Sequence, residues 1–439
     1  MTARLIVAGV TAVAAAVTLG LGGVFRSTPS AADAGDALPA AVAAALQKGF
    51  AAGDTVAEIT GLQAELRADP HNAKALDTLG LAYQQRARET ADPTYYTKAD
   101  GILHEALQLD PHDLIATAGL GQLALSRHQF RHALALGLRA KRISPTTAGV
   151  YGVIGDAEVE LGRYRQAFAA FDRMNAIKPD VASYARVSYA RELLGHTRAA
   201  ERAMALAASA AVGEREASAW TRAQLGLLLL NSGHAHAART QLEDALQLDP
   251  DYYFALDGMA QVTAGLGHLR TARAYEQRAV AKVPLPQYVG YLGDLDAALG
   301  DRAAAQREYA LIPVIQRLLA AHGVRNDLDI ALFEVDHGID LPHALVLARR
   351  GHAERPSVTG DDVLGWALAR NGRCAEALPW ARRALRLGTR DPLKLFHLGY
   401  AESCVGNRKA ARAFYGGALA LNPRFSILWA PVARKGLLR

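Results

Sequence analysis

Residues 114–145 read LIATAGLGQLALSRHQFRHALALGLRAKRISP, and residues 148–179, offset by 34, read AGVYGVIGDAEVELGRYRQAFAAFDRMNAIKP. Laid over each other, they align Leu120-Gly121 with Ile154-Gly155, Ala133 with Ala167, and Pro145 with Pro179. A third copy carries Leu225-Gly226, Gly233, Ala238, Leu242, Ala245 and Pro250. Each residue type has a physical task. A small residue in a first helix lets a second approach closely, a turn glycine accepts the left-handed backbone that ends the first helix, and a proline stops the second.

Working outward, Pro70, Pro111, Pro145, Pro179, Pro250, Pro284 and Pro423 are separated by 41, 34, 34, 71, 34 and 139 residues, each close to a multiple of 34. A helical hairpin of that length cannot bury its apolar face alone and must stack on copies of itself. Further units are marked by Leu79-Gly80 with Ala99 and Ala106, Leu292-Gly293 with Tyr309, Ala331 with Ala344, Leu364-Gly365 with Ala377, and Leu398-Gly399 with Tyr415. With a degenerate first unit closing on Pro70, about eleven hairpins are expected. Hydrophobic residues make up 51% of the chain but aromatics only 7%, so the predicted core is mainly Ala and Leu, which favour helix and close packing. The predicted fold is therefore all-α, an α-solenoid of stacked hairpins preceded by one N-terminal hydrophobic helix.

That first helix rests on an uncharged apolar run from Leu5 to Phe25, between Arg4 and Arg26 and followed by a Ser/Pro/Ala stretch to Ala34. It is long enough to span a bilayer and also has the basic start and small-residue end of a secretory signal, so 1–26 is expected to be a membrane anchor or a cleaved signal. Either places the repeats outside the cytoplasm, membrane-anchored or secreted. The remaining divisions are a linker over 27–37, repeats over 38–212 and 213–310, an irregular helical connection over 311–326, repeats over 327–423 and a capping segment over 424–439. In the last of these, the apolar Phe425–Trp429 is expected either to fold back as a cap or to form a docking or dimer surface.

The repeated positions resemble the tetratricopeptide repeat, with Leu-Gly in the first helix, small residues in the second and a terminal Pro. The resemblance covers about 38–423 and implies a right-handed solenoid that binds protein partners on its concave face, lined by first helices. By register, it implies that Asp156, Glu160, Tyr189, Glu192, Trp220, Phe254, Asp257, Tyr291 and Asp294 face the groove, followed by Asp362, Trp366, Phe396, His397 and Tyr400. Such a groove is acidic and aromatic, suited to a protein or extended peptide with basic or apolar side chains. It departs from family members that clamp a peptide carboxylate, because Lys74 is the only Lys placed in it and Arg186 stands alone.

Other chemistry finds little footing. The net charge of +6 is scattered, with no basic stripe and no stacking aromatics, so nucleic acid is not an expected partner. There is no phosphate loop, HExxH or Gly-x-Ser-x-Gly elbow, and no catalytic residue, cofactor or metal site is assigned. His128 and His132 are the most metal-like pair, but histidines in equivalent slots of successive repeats stand too far apart to share an ion. Cys374 near the start of a second helix and Cys404 near the end of the next first helix are candidates for a disulfide between antiparallel neighbours. The favoured function is a non-enzymatic scaffold. A cytosolic adaptor and a solenoid platform for an enzyme or metal-handling role are the alternatives.

Overall fold

A computed structural model describes residues 55–438. Among them all regular structure is helical, in 22 helices. Helix α1 (Thr55–Ala68) is followed by ten hairpins. These are α2/α3 (Ala73–Thr90, Thr94–Leu109), α4/α5 (Leu114–Ser126, Phe130–Ile143), α6/α7 (Ala148–Glu160, Tyr164–Ile177), α8/α9 (Val181–Leu193, Thr197–Ala210) and α10/α11 (Arg215–Asn231, Ala235–Leu248). Then come α12/α13 (Tyr253–Gly265, Leu269–Lys282), α14/α15 (Pro286–Ala298, Arg302–Ala321), α16/α17 (Asp327–His337, Leu341–Glu354), α18/α19 (Val358–Arg370, Cys374–Ala384) and α20/α21 (Pro392–Cys404, Arg408–Leu421). Helix α22 (Trp429–Leu437) closes the chain. The apolar run at 5–25 and the signal or anchor assigned to it lie outside the described residues. No helix of the described residues is long and apolar enough to cross a membrane.

Starts and stops follow local chemistry. Asn72, Asp113, Asp180, Asp301, Ser357 and Asp391 accept first-turn backbone N–H groups with their side chains, while Pro286 and Pro392 occupy first-turn positions where no donor is needed. The turns inside hairpins carry left-handed glycines at Gly162, Gly195, Gly233, Gly267, Gly300, Gly372 and Gly406. In α4/α5 the equivalent residue is His128, at φ 56°.

One alanine per second helix fixes the spacing of the layers. Ala99, Ala133, Ala167, Ala200, Ala238, Ala272, Ala305, Ala344, Ala377 and Ala411 occupy one slot and are all buried. Facing them, first-helix glycines make room for larger residues; a Cβ added at Gly155 would lie 2.3 Å from the Phe171 ring. Neighbouring first helices also touch one another along most of the array, which puts them on the inside of the curve.

The curve closes on itself. Turns inside early hairpins meet loops between late ones in four rungs. The Arg325 N–H donates to the Arg127 carbonyl (3.0 Å), Arg355 pairs with Glu160 (Nη2 to Oε1, 3.0 Å), the Thr389 hydroxyl donates to the Leu193 carbonyl (2.6 Å), and Asn422 donates to the Leu230 carbonyl (3.0 Å). The side-chain rungs join residues 192 to 196 apart in sequence, so one superhelical turn takes between five and six hairpins and the next lies directly against it.

Candidate functional site

The inner face is built from the first helices, and the structure places the fourteen groove residues in two sets. Asp156, Trp220, Phe254, Asp257, Tyr291, Asp294, Asp362, Trp366 and Phe396 are buried, as are Glu160 and His397. Only Tyr189, Glu192 and Tyr400 keep partial exposure. This corrects the expectation of one long open groove, and three physical reasons account for it.

At the C-terminal end, the chain covers its own inner face. Residues 424–429 fold back, and Trp429 and Trp366 both donate their indole N–H to Asp336 Oδ1, at 3.0 and 2.8 Å. The Trp429 ring lies 5.2 Å from that of Trp366 and 5.3 Å from that of Phe396, and Phe425 adds a third aromatic at 5.9 Å from Phe396. Ile427 packs on the cluster that contains Tyr291. The apolar tail is thus a cap.

Toward the N-terminal end, a bridge crosses the interior. Gln85 on α2 donates to Glu216 on α10 at 2.7 Å, and Ala91 packs on the cluster holding Tyr252, Tyr253 and Phe254. The third reason is that the acids are already paired with neighbouring side chains. Asp156 is held bidentately by Arg186 (Nη2 to Oδ2 2.7 Å, Nε to Oδ1 3.0 Å), Asp294 receives the Tyr309 hydroxyl at 2.7 Å and lies 2.8 Å from His337 Nε2, and Asp362 lies 3.0 Å from His397 Nδ1.

What stays open is the middle. A cavity of about 490 Å³, counted out to its solvent mouth, is lined by Asp156, Arg186, Tyr189, Glu192, Trp220 and Gln224 among others. A second, of about 460 Å³ on the same measure, shares Tyr189 and Glu192 and continues between the superhelical turns to Asn231, Thr389, Asp391 and Lys394. Trp220 and Gln224 are over nine-tenths buried, yet Trp220 Nε1 and Gln224 Nε2 have no hydrogen-bond partner among the described residues. Burial raises the Glu192 carboxyl to about 7; Asp391 adds to the rise and Lys394 opposes it. Gln224 and Lys394 were not anticipated. Gln224 follows Trp220 by four residues and shares its helix face, a spacing that could have marked it.

The cysteine pair lies away from this cavity. Cys374 and Cys404, with Cα atoms 5.6 Å apart, are joined by a disulfide tying α19 to α20. Among the described residues no group of three or more His, Cys, Asp or Glu is arranged to hold a metal. His128 instead sets Nδ1 2.8 Å from the Arg325 carbonyl of the next turn, and His132 is exposed.

Hairpin α10/α11, with the turn that follows it, supplies the cavity's indole and amide. Residues 221–252 match the tetratricopeptide repeat family model. The chain is thus an array of helical hairpins, one unit of which matches that repeat. No curated protein matches it. Among solved structures, it is similar to the hetero-tetramer Cut9-Hcn1 of APC/C (14% identity, 87% of this chain and 82% of that one, TM-score 0.39). It is also similar to a human IFIT1 dimer with PPP-AAAA (15% identity, 87% and 89%, TM-score 0.46). A third similar structure is YrrB, described as a tetratricopeptide repeat protein with an unusual peptide-binding site (19% identity, 41% and 91%, TM-score 0.28).

Proposed function

We propose that the chain is a non-enzymatic scaffold that holds a protein or extended peptide, with basic or apolar side chains, on the inner face of its solenoid outside the cytoplasm. The observation that carries the reading is the open middle of that face. Among the described acids, aromatics and histidine that register assigned to the groove, all but Tyr189, Glu192 and Tyr400 are buried, and Tyr189 and Glu192 stand between two solvent-connected cavities. Aromatic and charged residues at the edge of a pocket are the usual anchors of a partner. Export is supported by the apolar run at 5–25, as a signal or a tether, and by the Cys374–Cys404 disulfide, a bond that persists in oxidising compartments.

The test is position-specific crosslinking in the native cell. A photoreactive residue at Tyr189 is expected to capture a defined partner that the same residue at Arg239, exposed on α11, does not. Identical capture from both positions, or none from Tyr189, would remove the inner face from the function.

A further inference from the structure

The cavity between α6, α8 and α10 has a chemical asymmetry that selects its occupant. Its charged groups are Asp156, Arg186 and Glu192. Arg186 is consumed by Asp156 and by the Ala182 carbonyl, to which Nη1 donates at 3.0 Å. Glu192 makes no side-chain hydrogen bond among the described residues, and the Asp391 and Lys394 beyond it bond to each other. Glu192 is therefore the acid of this lining with no cation bonded to it, and in its ionised form it would repel an anionic occupant. A buried donor without an acceptor is costly, and two residues of the lining each carry one, Trp220 Nε1 and Gln224 Nε2, on adjacent turns of α10; both atoms are covered in the free chain, so an occupant reaches them only once these side chains turn. Both call for carbonyl oxygens. Tyr189, Met204 and Leu228 also line the cavity and give it an apolar wall suited to a methylene stem.

We propose that this cavity takes one cationic side chain of an extended peptide, its ammonium or guanidinium on Glu192 and its neighbouring main-chain carbonyls on Trp220 Nε1 and Gln224 Nε2. The inference rests on the scaffold reading and gives it a selectivity. Lys and Arg both satisfy it, because their stems lie along Tyr189 and Leu228 while the charged head reaches Glu192. Norleucine fills the same space without the charge, and Glu brings a second negative charge to Glu192.

The test is titration calorimetry of the full chain with capped pentapeptides Gly-Ala-X-Ala-Gly, where X is Lys, Arg, norleucine or Glu. The Lys and Arg peptides are expected to bind about tenfold more tightly than the norleucine peptide, and the Glu peptide more weakly still. Glu192→Gln should erase that preference. Trp220→Phe, which keeps a ring and removes the donor, should weaken all the peptides by about threefold and leave the preference in place. N-acetyl-lysine methylamide should bind more weakly than the Lys pentapeptide; equal affinity would make the ligand a free amine and overturn the peptide assignment. Equal binding of all four peptides, or a preference that survives Glu192→Gln in a variant with wild-type melting, would also overturn the proposal while leaving the scaffold reading standing. If no peptide binds, the proposal falls, and crosslinking from Tyr189 then decides the scaffold reading separately.

Discussion

At Gly195 the backbone stands at φ +72°, and a Cβ built there would meet the Gly388 carbonyl oxygen at 2.1 Å. Gly267 occupies the same slot two hairpins later, at φ +91°, with nothing within 4 Å. The pair separates two demands that look identical in the sequence. Gly267→Ala is expected to cost only the left-handed backbone penalty, about 1 kcal/mol, whereas Gly195→Ala must also push away the next superhelical turn and should cost at least about 2 kcal/mol more. Urea unfolding of the two variants measures the difference, and equal losses would mean that the turns are not held together there. The glycine slot was legible from spacing, because a left-handed turn is a local demand. The carbonyl behind Gly195 comes from a residue nearly 200 positions away and left no local mark.

Between elements, two of the acids that sequence register assigned to a groove, Asp257 and Asp294, are packed with Glu276 where α12, α13 and α14 meet. Burial pushes the Asp257 carboxyl to about 7, against the hydrogen bonds it accepts, and pushes Glu276 well above its usual range, with the charges of Asp257 and Asp294 adding to it. Asp294 rises to about 6 by burial, opposed by its bonds from His337 and Tyr309. Burial disfavours the charged form of His337, but its contact with Asp294 outweighs that and its pKa is raised. The sign is common to all four. Groups whose pKa is higher folded than unfolded contribute stability at low pH that is lost as pH rises through the folded values. Asp391 and Glu402 are lowered overall, despite burial, by Lys394 and by Asn407 and Arg382, and their contribution is lost only as pH falls below the ordinary carboxylate range and through their lowered folded values. The melting temperature is therefore expected to be higher at pH 5 than at pH 8, and Asp257→Asn combined with Glu276→Gln should narrow the gap; a flat profile in the parent chain would contradict the assignment. The hairpins, their turns and the proximity of Cys374 to Cys404 were readable from sequence because each follows from the period. Openness was not, since a first-helix position facing a groove and one facing the neighbouring first helix share the same register, and contacts from distant parts of the chain, such as the returning tail at Phe425–Trp429, decide which is covered.

On the scale of the whole molecule, the seam between superhelical turns is where the chain departs from a simple stack. Arg355 and Glu160 form a buried pair across it, with the Tyr164 hydroxyl accepting from the Val358 N–H beside them at 2.6 Å. Removing one member of a buried pair strands the other, so Arg355→Ala is expected to cost about 3–5 kcal/mol and to let the turns part. A larger radius of gyration in small-angle scattering, together with earlier unfolding, would report both effects; an unchanged radius with wild-type stability would show that the seam contributes nothing. Arrays in which each unit touches only its neighbours can gain or lose a unit and still fold, since their energetics are one-dimensional. Here the rungs at Arg127, Glu160, Leu193 and Leu230 demand partners a fixed distance along the chain. Removing one whole hairpin between Pro250 and Pro284 would leave every remaining hairpin intact and yet bring each of these four residues opposite the wrong loop. The array has in effect exchanged the freedom to vary in length for a closed thread with a set pitch.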